Sequence, residues 1–283
     1  MEHTPLRVYQ IGREHTSHNE DVLARALRQI PSSTVLLLTD TDTSQAHFMP
    51  DTEYGFTSKP EYSAGRVGGD IRGFGEISIS STSLPVVIKN MSPRKIRHEE
   101  TWDIEDAIAK EYAIAQELKN SEAPSFNYIG FIKQRNDFLT ITEYEKQVEN
   151  FDTSNQKFNE DKVILALGTA ASTLIALHSR GILHDDLTLS NTAYDTRNNQ
   201  ARTIDLSFAR HAPRNSVHEF THNVTDYVTS LGVAKSGRSG FAATRERVEN
   251  HLIEPYATAV SDTIPAREID KIRQSIPRLI EPR

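Results

Sequence analysis

The amino-acid sequence predicts an α+β fold in which a strand-rich first half is followed by a helix-rich second half. Three observations carry this expectation. Up to Glu143, apolar residues alternate or fall in short blocks, as in Ile77-Ser78-Ile79 and Val86-Val87-Ile88. From Glu160 they recur at helical spacing instead, through Val163, Leu167, Ala170, Leu174 and Leu177. Between the two textures, Tyr144–Gln147 reads as a hinge, so two lobes are expected.

The elements follow in order. Arg7–Ile11 reads as a strand, Asn19–Ile30 as a helix capped near Ser17 or Asn19, and Thr34–Thr39 as a buried strand. Residues 40–59, rich in Thr, Asp, Ser and Pro, read as loop. Gly65, Gly68, Gly69, Gly73 and Gly75 then predict a glycine-rich turn inside a hairpin. A turn at Ser83–Pro85 leads to the apolar strand that ends on Lys89. A helix from about Ile104 to Leu118 and strands Asn127–Lys133 and Phe138–Glu143 complete the first half. In the second half, Asn159-Glu160-Asp161 starts a long helix, with a capping Asn and acids at the positive end of the dipole. Gly181 stops it. Two short strands flank Asn198-Asn199, and helices with loops follow.

Composition narrows the function. The chain of 283 residues is 37% hydrophobic and 25% charged, as in an ordinary globular protein. A net charge of −7 argues against broad, sequence-independent nucleic-acid binding, which needs a basic surface. With no cysteine, disulfides, thiolate nucleophiles and cysteine metal sites are excluded. No apolar core follows a basic end within Met1–Gly12, and Val163–Leu177 is short for a membrane span. A cytoplasmic protein without a membrane partner is expected.

The chemistry gathers in Leu183-His184-Asp185-Asp186-Leu187-Thr188-Leu189-Ser190-Asn191 and Thr203-Ile204-Asp205-Leu206-Ser207. An Asp follows the His by two residues, an Asn follows five later, and a second Asp fourteen after that. This pattern resembles the protein-kinase-like superfamily, whose catalytic loop is H-x-D-x-x-x-x-N followed by a metal-binding aspartate. The resemblance implies a bilobal protein-kinase-like fold with a strand-rich N-lobe over 61–146 and a short helical C-lobe over 147–283. Residues 1–60 are left as an N-terminal extension, either a cap on the first lobe or a surface for a protein partner.

The resemblance assigns roles that the chemistry explains. Phosphoryl transfer needs a carboxylate beside the acceptor hydroxyl and oxygen ligands that hold magnesium on the nucleotide phosphates. Asp186 takes the first role, Asn191 and Asp205 the second, and His184 is structural. Lys89 ends an apolar strand, where a charge is costly without a partner. In the family a lysine at this place meets the α and β phosphates. Glu111 interrupts the apolar stripe of Ile104, Ile108, Ala115 and Leu118, so it calls for a buried partner, and Lys89 is the natural candidate. Leu139–Glu145 resembles the family's fifth strand and hinge, with Thr142 at the gatekeeper place and the backbones of Glu143 and Glu145 at the adenine edge. Gly73-Phe74-Gly75 resembles the tip of the phosphate-cradling glycine loop, although Asp70 and Arg72 hold the earlier glycine places.

Several departures set the branch. Asp185 replaces the arginine that usually precedes the catalytic aspartate, Thr188 stands where protein kinases place a lysine, and Leu206-Ser207 follow Asp205 instead of Phe-Gly. Asp226–Gly232 resembles the start of the central helix of the second lobe. The wording of 186–191 is similar to small atypical kinases, notably the KEOPS-complex kinase and lipopolysaccharide-kinase branches. The expectation is an atypical kinase that uses ATP and Mg2+ on a protein serine or threonine, including its own. The alternatives are a small-molecule kinase of the same fold and a pseudokinase or nucleotide-binding interaction module.

Overall fold

A computed structural model describes residues 6–60, 71–91, 103–135, 137–151, 160–213, 216–236 and 244–280. The chain divides into two compact units, Met1–Gln116 with Phe126–Lys146 and Glu117–Ser125 with Gln147–Arg283.

The first unit is built on one eight-stranded sheet. It opens with β1 (Arg7–Gly12), α1 (Arg13–Ser17), α2 (Glu20–Gln29) and β2 (Thr34–Thr39). Asn19 caps α2 by accepting the backbone N–H of Asp21 at 3.1 Å. β1 and β2 are parallel, and β2 pairs antiparallel with β7 (Tyr128–Gln134). The N-terminal segment is therefore part of the sheet and not a separate appendage. The remaining strands are β3 (His47–Phe48), β4 (Tyr54–Ser58), β5 (Ile71–Ile79), β6 (Thr82–Met91) and β8 (Asp137–Glu143), with α3 (Ile104–Leu118) between β6 and β7. Their order is β3-β1-β2-β7-β8-β6-β5-β4.

Alternation sorts the side chains onto two faces. Val8, Val35, Leu37, Ile77, Val86, Ile88, Ile132 and Ile141 form an apolar cluster on one. On the other, Tyr128 and Phe131 meet Tyr112 of α3 edge-on, at ring-centroid distances of 5.7 and 6.3 Å.

Three expectations change here. Residues 40–59 are not all loop, since β3 and β4 lie within them. The hairpin turn falls at Ser80 and not at Ser83–Pro85, because Ser80 takes the left-handed conformation (φ 53°) and pairing resumes at Thr82. Pro85 sits inside β6 but faces Tyr144, just past the end of β8, where its missing N–H interrupts no ladder. Gly73 and Gly75 are not on a turn. They lie within β5, opposite Ile88 and Val86. At Gly75 the neighbouring β4 approaches closely: a Cβ there would stand 2.3 Å from the Thr57 carbonyl oxygen. Gly65, Gly68, Gly69 and Asp70 lie outside the described residues.

The second unit contains β9 (Val148–Asn150), α4 (Glu160–His178), β10 (Ile182–His184), β11 (Thr192–Asp195), β12 (Gln200–Thr203) and β13 (Ala209–His211). They are followed by α5 (Val217–Ser236), α6 (Arg245–Val248), α7 (Glu254–Ala259) and α8 (Ala266–Ile280). The expected cap of α4, Asn159, lies outside the described residues. Gly181 ends that helix at φ 70°, and Asn199, at φ 53°, turns the chain between β11 and β12. Among the described residues α4 is long and apolar enough to cross a membrane by length and composition. Its apolar positions Val163, Leu167, Ala170 and Leu174 nevertheless belong to the unit's core, with Val224, Tyr227 and Leu231 of α5 and Ile269, Ile272 and Ile276 of α8.

Candidate active site

The loop after β10 is pinned by its apolar residues. Leu187 and Leu189 are buried in the core, which leaves Asp186 and Ser190 facing solvent. Turns close it from both ends, Leu187 N–H to the His184 carbonyl and Asn191 N–H to the Thr188 carbonyl, each at 3.0 Å. Asn191 then holds Asp186 directly: its side-chain amide donates to the Asp186 carbonyl at 2.8 Å and to the carboxylate Oδ2 at 3.1 Å. With the nitrogen so engaged, the amide presents its oxygen, an acceptor only, on its other side.

Asp205 reaches the same place through the hairpin. β11 and β12 pair so that Thr192 faces Thr203, and Ile204 N–H bonds the Asn191 carbonyl at 3.4 Å. Asn191 and Asp205 therefore flank one end of the same ladder. Asp205 has left-handed backbone (φ 55°, ψ 65°) and accepts the Ser207 hydroxyl at 2.5 Å. Such a conformation is held only where the surroundings enforce it. His184, fully buried, supplies part of that enforcement by bonding the Ile204 carbonyl through Nε2 at 3.2 Å. A carbonyl only accepts, so Nε2 carries the proton. The fit to magnesium is chemical: a carboxylate and an amide oxygen, brought together by backbone register, are the hard ligands that ion takes.

A buried chain of hydrogen bonds braces this loop, and its direction follows from donor and acceptor identity. Asn223 of α5 donates Nδ2 to the His184 carbonyl at 2.7 Å, and its Oδ1 accepts the His184 N–H at 3.3 Å. That same Oδ1 lies 3.0 Å from His178 Nε2, which must therefore donate. The Tyr256 hydroxyl, 2.5 Å from His178 Nδ1, donates in turn. Burial pushes the His178 imidazole down to about 4 and the Tyr256 hydroxyl well above its ordinary value, so both stay neutral. Sequence reasoning missed Asn223, His178 and Tyr256. Asp226–Gly232, which resembled the start of the central helix, lies inside α5, which begins at Val217, and Asp226 pairs on the surface with His222 at 2.8 Å. The one legible signal was a polar Asn three residues ahead of Asp226 on an otherwise apolar face.

Asp185 is exposed and ion-paired: Arg210 Nε lies 2.6 Å from its carboxylate, while Arg210 Nη1 reaches Glu219 at 3.2 Å. The loop that carries Asp186 is thereby tied to β13 and α5.

In the first unit, Glu111 is buried (4% exposed) and its Oε1 accepts the hydroxyl of Tyr128 at 2.6 Å. Lys89 faces Thr140 of β8 in the ladder, and Thr142, two residues on, faces Tyr128. Directly opposed residues share a face, so Lys89 and Tyr128 project from the same side of the sheet. At the strand end, Glu143 N–H bonds the Asn127 carbonyl and Tyr144 N–H the Pro85 carbonyl, each at 2.9 Å.

With this geometry in view, the comparison with known families is direct. The protein kinase domain model matches residues 74–230, more than half of the chain, from within β5 to within α5. The chain belongs to the protein kinase domain family. Its fold is the α+β, bilobal kinase-like one, and its class is that of the kinases, the phosphotransferases that share this domain. A search of curated proteins finds no match.

Proposed function

We propose that this protein is an atypical, ATP- and magnesium-dependent kinase that moves the γ-phosphoryl group to a serine or threonine hydroxyl of a protein, its own included. The observation that carries the reading is the double hydrogen bond from Asn191 to Asp186, which orients a solvent-facing carboxylate beside an acceptor-only amide oxygen. Asp186 takes the proton of the attacking hydroxyl as its oxygen forms a bond to the γ-phosphorus. The bond to the β–γ bridging oxygen breaks, and ADP leaves with that electron pair. Asn191 Oδ1 and the Asp205 carboxylate would hold magnesium, which neutralises developing phosphate charge.

Lys89, kept in place by Glu111, meets the α and β phosphates in this reading. The shared sheet face of Lys89 and Tyr128 supports that pairing. The Glu143 carbonyl and Glu145 N–H meet the adenine edge. Gly73 and Gly75 leave the backbone of β5 open to the phosphates in this reading, and Gly75 also lets β4 approach closely. Asp185 and Thr188 favour the atypical branch, because the loop around Asp186 lacks the basic residues of the commoner protein kinases.

The test is incubation of the purified protein with γ-labelled ATP and magnesium, alone and with lysate separated into protein and metabolite fractions. Label in protein that disappears with Asp186→Ala supports the proposal. Label confined to metabolites moves the acceptor to a small molecule, and ATP turnover undiminished in Asp186→Ala removes Asp186 from the centre.

A further inference from the structure

The Tyr128–Glu111 hydrogen bond has a form that ordinary packing does not require. Both side chains are 4% exposed, and the hydroxyl and carboxylate oxygens are 2.6 Å apart. A bond to an ionised acceptor in dry surroundings is shorter and about twice as strong as a neutral one. The ring that carries the hydroxyl is itself fixed, edge-on to Tyr112 at 82° and tilted against Phe131 at 6.1 Å. The hydroxyl is thus a rigid post on the sheet, while Glu111 sits mid-helix in α3. The ladder places Lys89 on the same face as that post, one strand beyond β8.

We infer that Tyr128 is a positioning residue for nucleotide binding: its hydroxyl fixes the Glu111 carboxylate, and through it the ammonium of Lys89. The inference rests on the reading in which Lys89 meets the nucleotide's phosphates. Without the hydroxyl, Glu111 keeps its burial but loses the donor that sets its rotamer. Lys89 is then held in more than one arrangement, and each phosphate contact weakens. Adenine contacts, made by backbone at the end of β8, do not depend on that bond.

The variant Tyr128→Phe keeps the ring and removes one oxygen, so the fold is preserved. Calorimetric titration of the full chain with magnesium-ATP, magnesium-ADP and adenosine reads the effect. The expected result is about a tenfold loss of affinity for ATP and ADP with adenosine unchanged. Tyr128→Phe added to Glu111→Gln should then cost nothing further. Equal loss for all three ligands would reduce Tyr128 to a packing residue and overturn the inference. So would unchanged affinity, or a gain, which would mean that the hydroxyl draws Glu111 away from Lys89. A wild-type chain that binds adenosine but gains nothing from the phosphates overturns the Lys89 assignment itself, a different result from any of these.

Discussion

Asn191 gives its side-chain amide to both the carbonyl and the carboxylate of Asp186, at 2.8 and 3.1 Å. A residue five positions away thereby fixes the loop's curvature and the carboxylate's direction with one planar group. The geometry explains why an amide serves here better than a second carboxylate. Asp at position 191 would have no hydrogen to give and would set like charges side by side.

The first prediction concerns that pair. Asp186→Asn preserves shape and removes the proton acceptor, so turnover should fall by about 10²–10⁴-fold while magnesium-ATP still binds. Steady-state phosphotransfer alongside calorimetric nucleotide titration separates the two effects. Unchanged turnover would rule out Asp186 as the base.

In the proposed mechanism, Asn191→Ala removes one oxygen ligand of magnesium together with the brace on Asp186. The magnesium concentration for half-maximal turnover should rise by about tenfold or more, because an ion with few protein ligands loses a substantial share of its protein contacts. Asp205→Asn should shift it further, since a charged ligand is lost. A magnesium titration at saturating ATP reads both. Identical magnesium curves for wild type and Asp205→Asn would exclude Asp205 from the metal site.

The two glycines of β5 give opposite expectations. At Gly75 an added Cβ would meet the Thr57 carbonyl oxygen at 2.3 Å and the Phe56 ring at 2.4 Å, and the backbone atom cannot move aside cheaply. Gly75→Ala should cost about 1–3 kcal/mol. At Gly73 the nearest atom is a Phe56 ring carbon at 3.7 Å, an ordinary contact, so Gly73→Ala should be near neutral. Thermal unfolding of the two variants decides, and equal midpoints would refute the close approach of β4.

Much of this was legible in the sequence, and the remainder was hidden for physical reasons. The period of the apolar residues announced the helices α2, α3 and α4 and the strands β2, β7 and β8, because burial on one face leaves a local signature. Glu111 stood out as an acid inside an apolar stripe, so its burial could be anticipated. Its donor Tyr128 could not, since a tyrosine at a strand's start is ordinary until register sets it beside a helix. Gly73 and Gly75 read as a turn because glycine's freedom is the usual reason for glycine. Here Gly75 instead makes room for a neighbouring strand, a requirement that only tertiary pairing creates. Asn223, His178 and Tyr256 come from three helices far apart in sequence, and no local pattern links them.

That buried chain yields the last prediction. His178 is enclosed by the Tyr256 hydroxyl, the Asn223 amide and the Phe220 ring at 4.6 Å, none of which carries a charge to offset an imidazolium. Burial therefore pushes its pKa from 6.5 down to about 4 in the folded chain. Between these values the unfolded chain binds a proton that the native chain refuses, so stability rises with pH across the window. The contribution is complete above pH 6.5 and is lost progressively as pH falls towards 4. At pH 5 the loss should be about 2 kcal/mol, set by the two end values of that window. His178→Gln should be less stable than wild type at pH 7 yet show a flatter decline to pH 5, because its amide does not titrate. Urea unfolding of both chains at pH 7, 6 and 5 measures the slopes. Parallel slopes would assign the pH dependence to other histidines among the eleven in the chain.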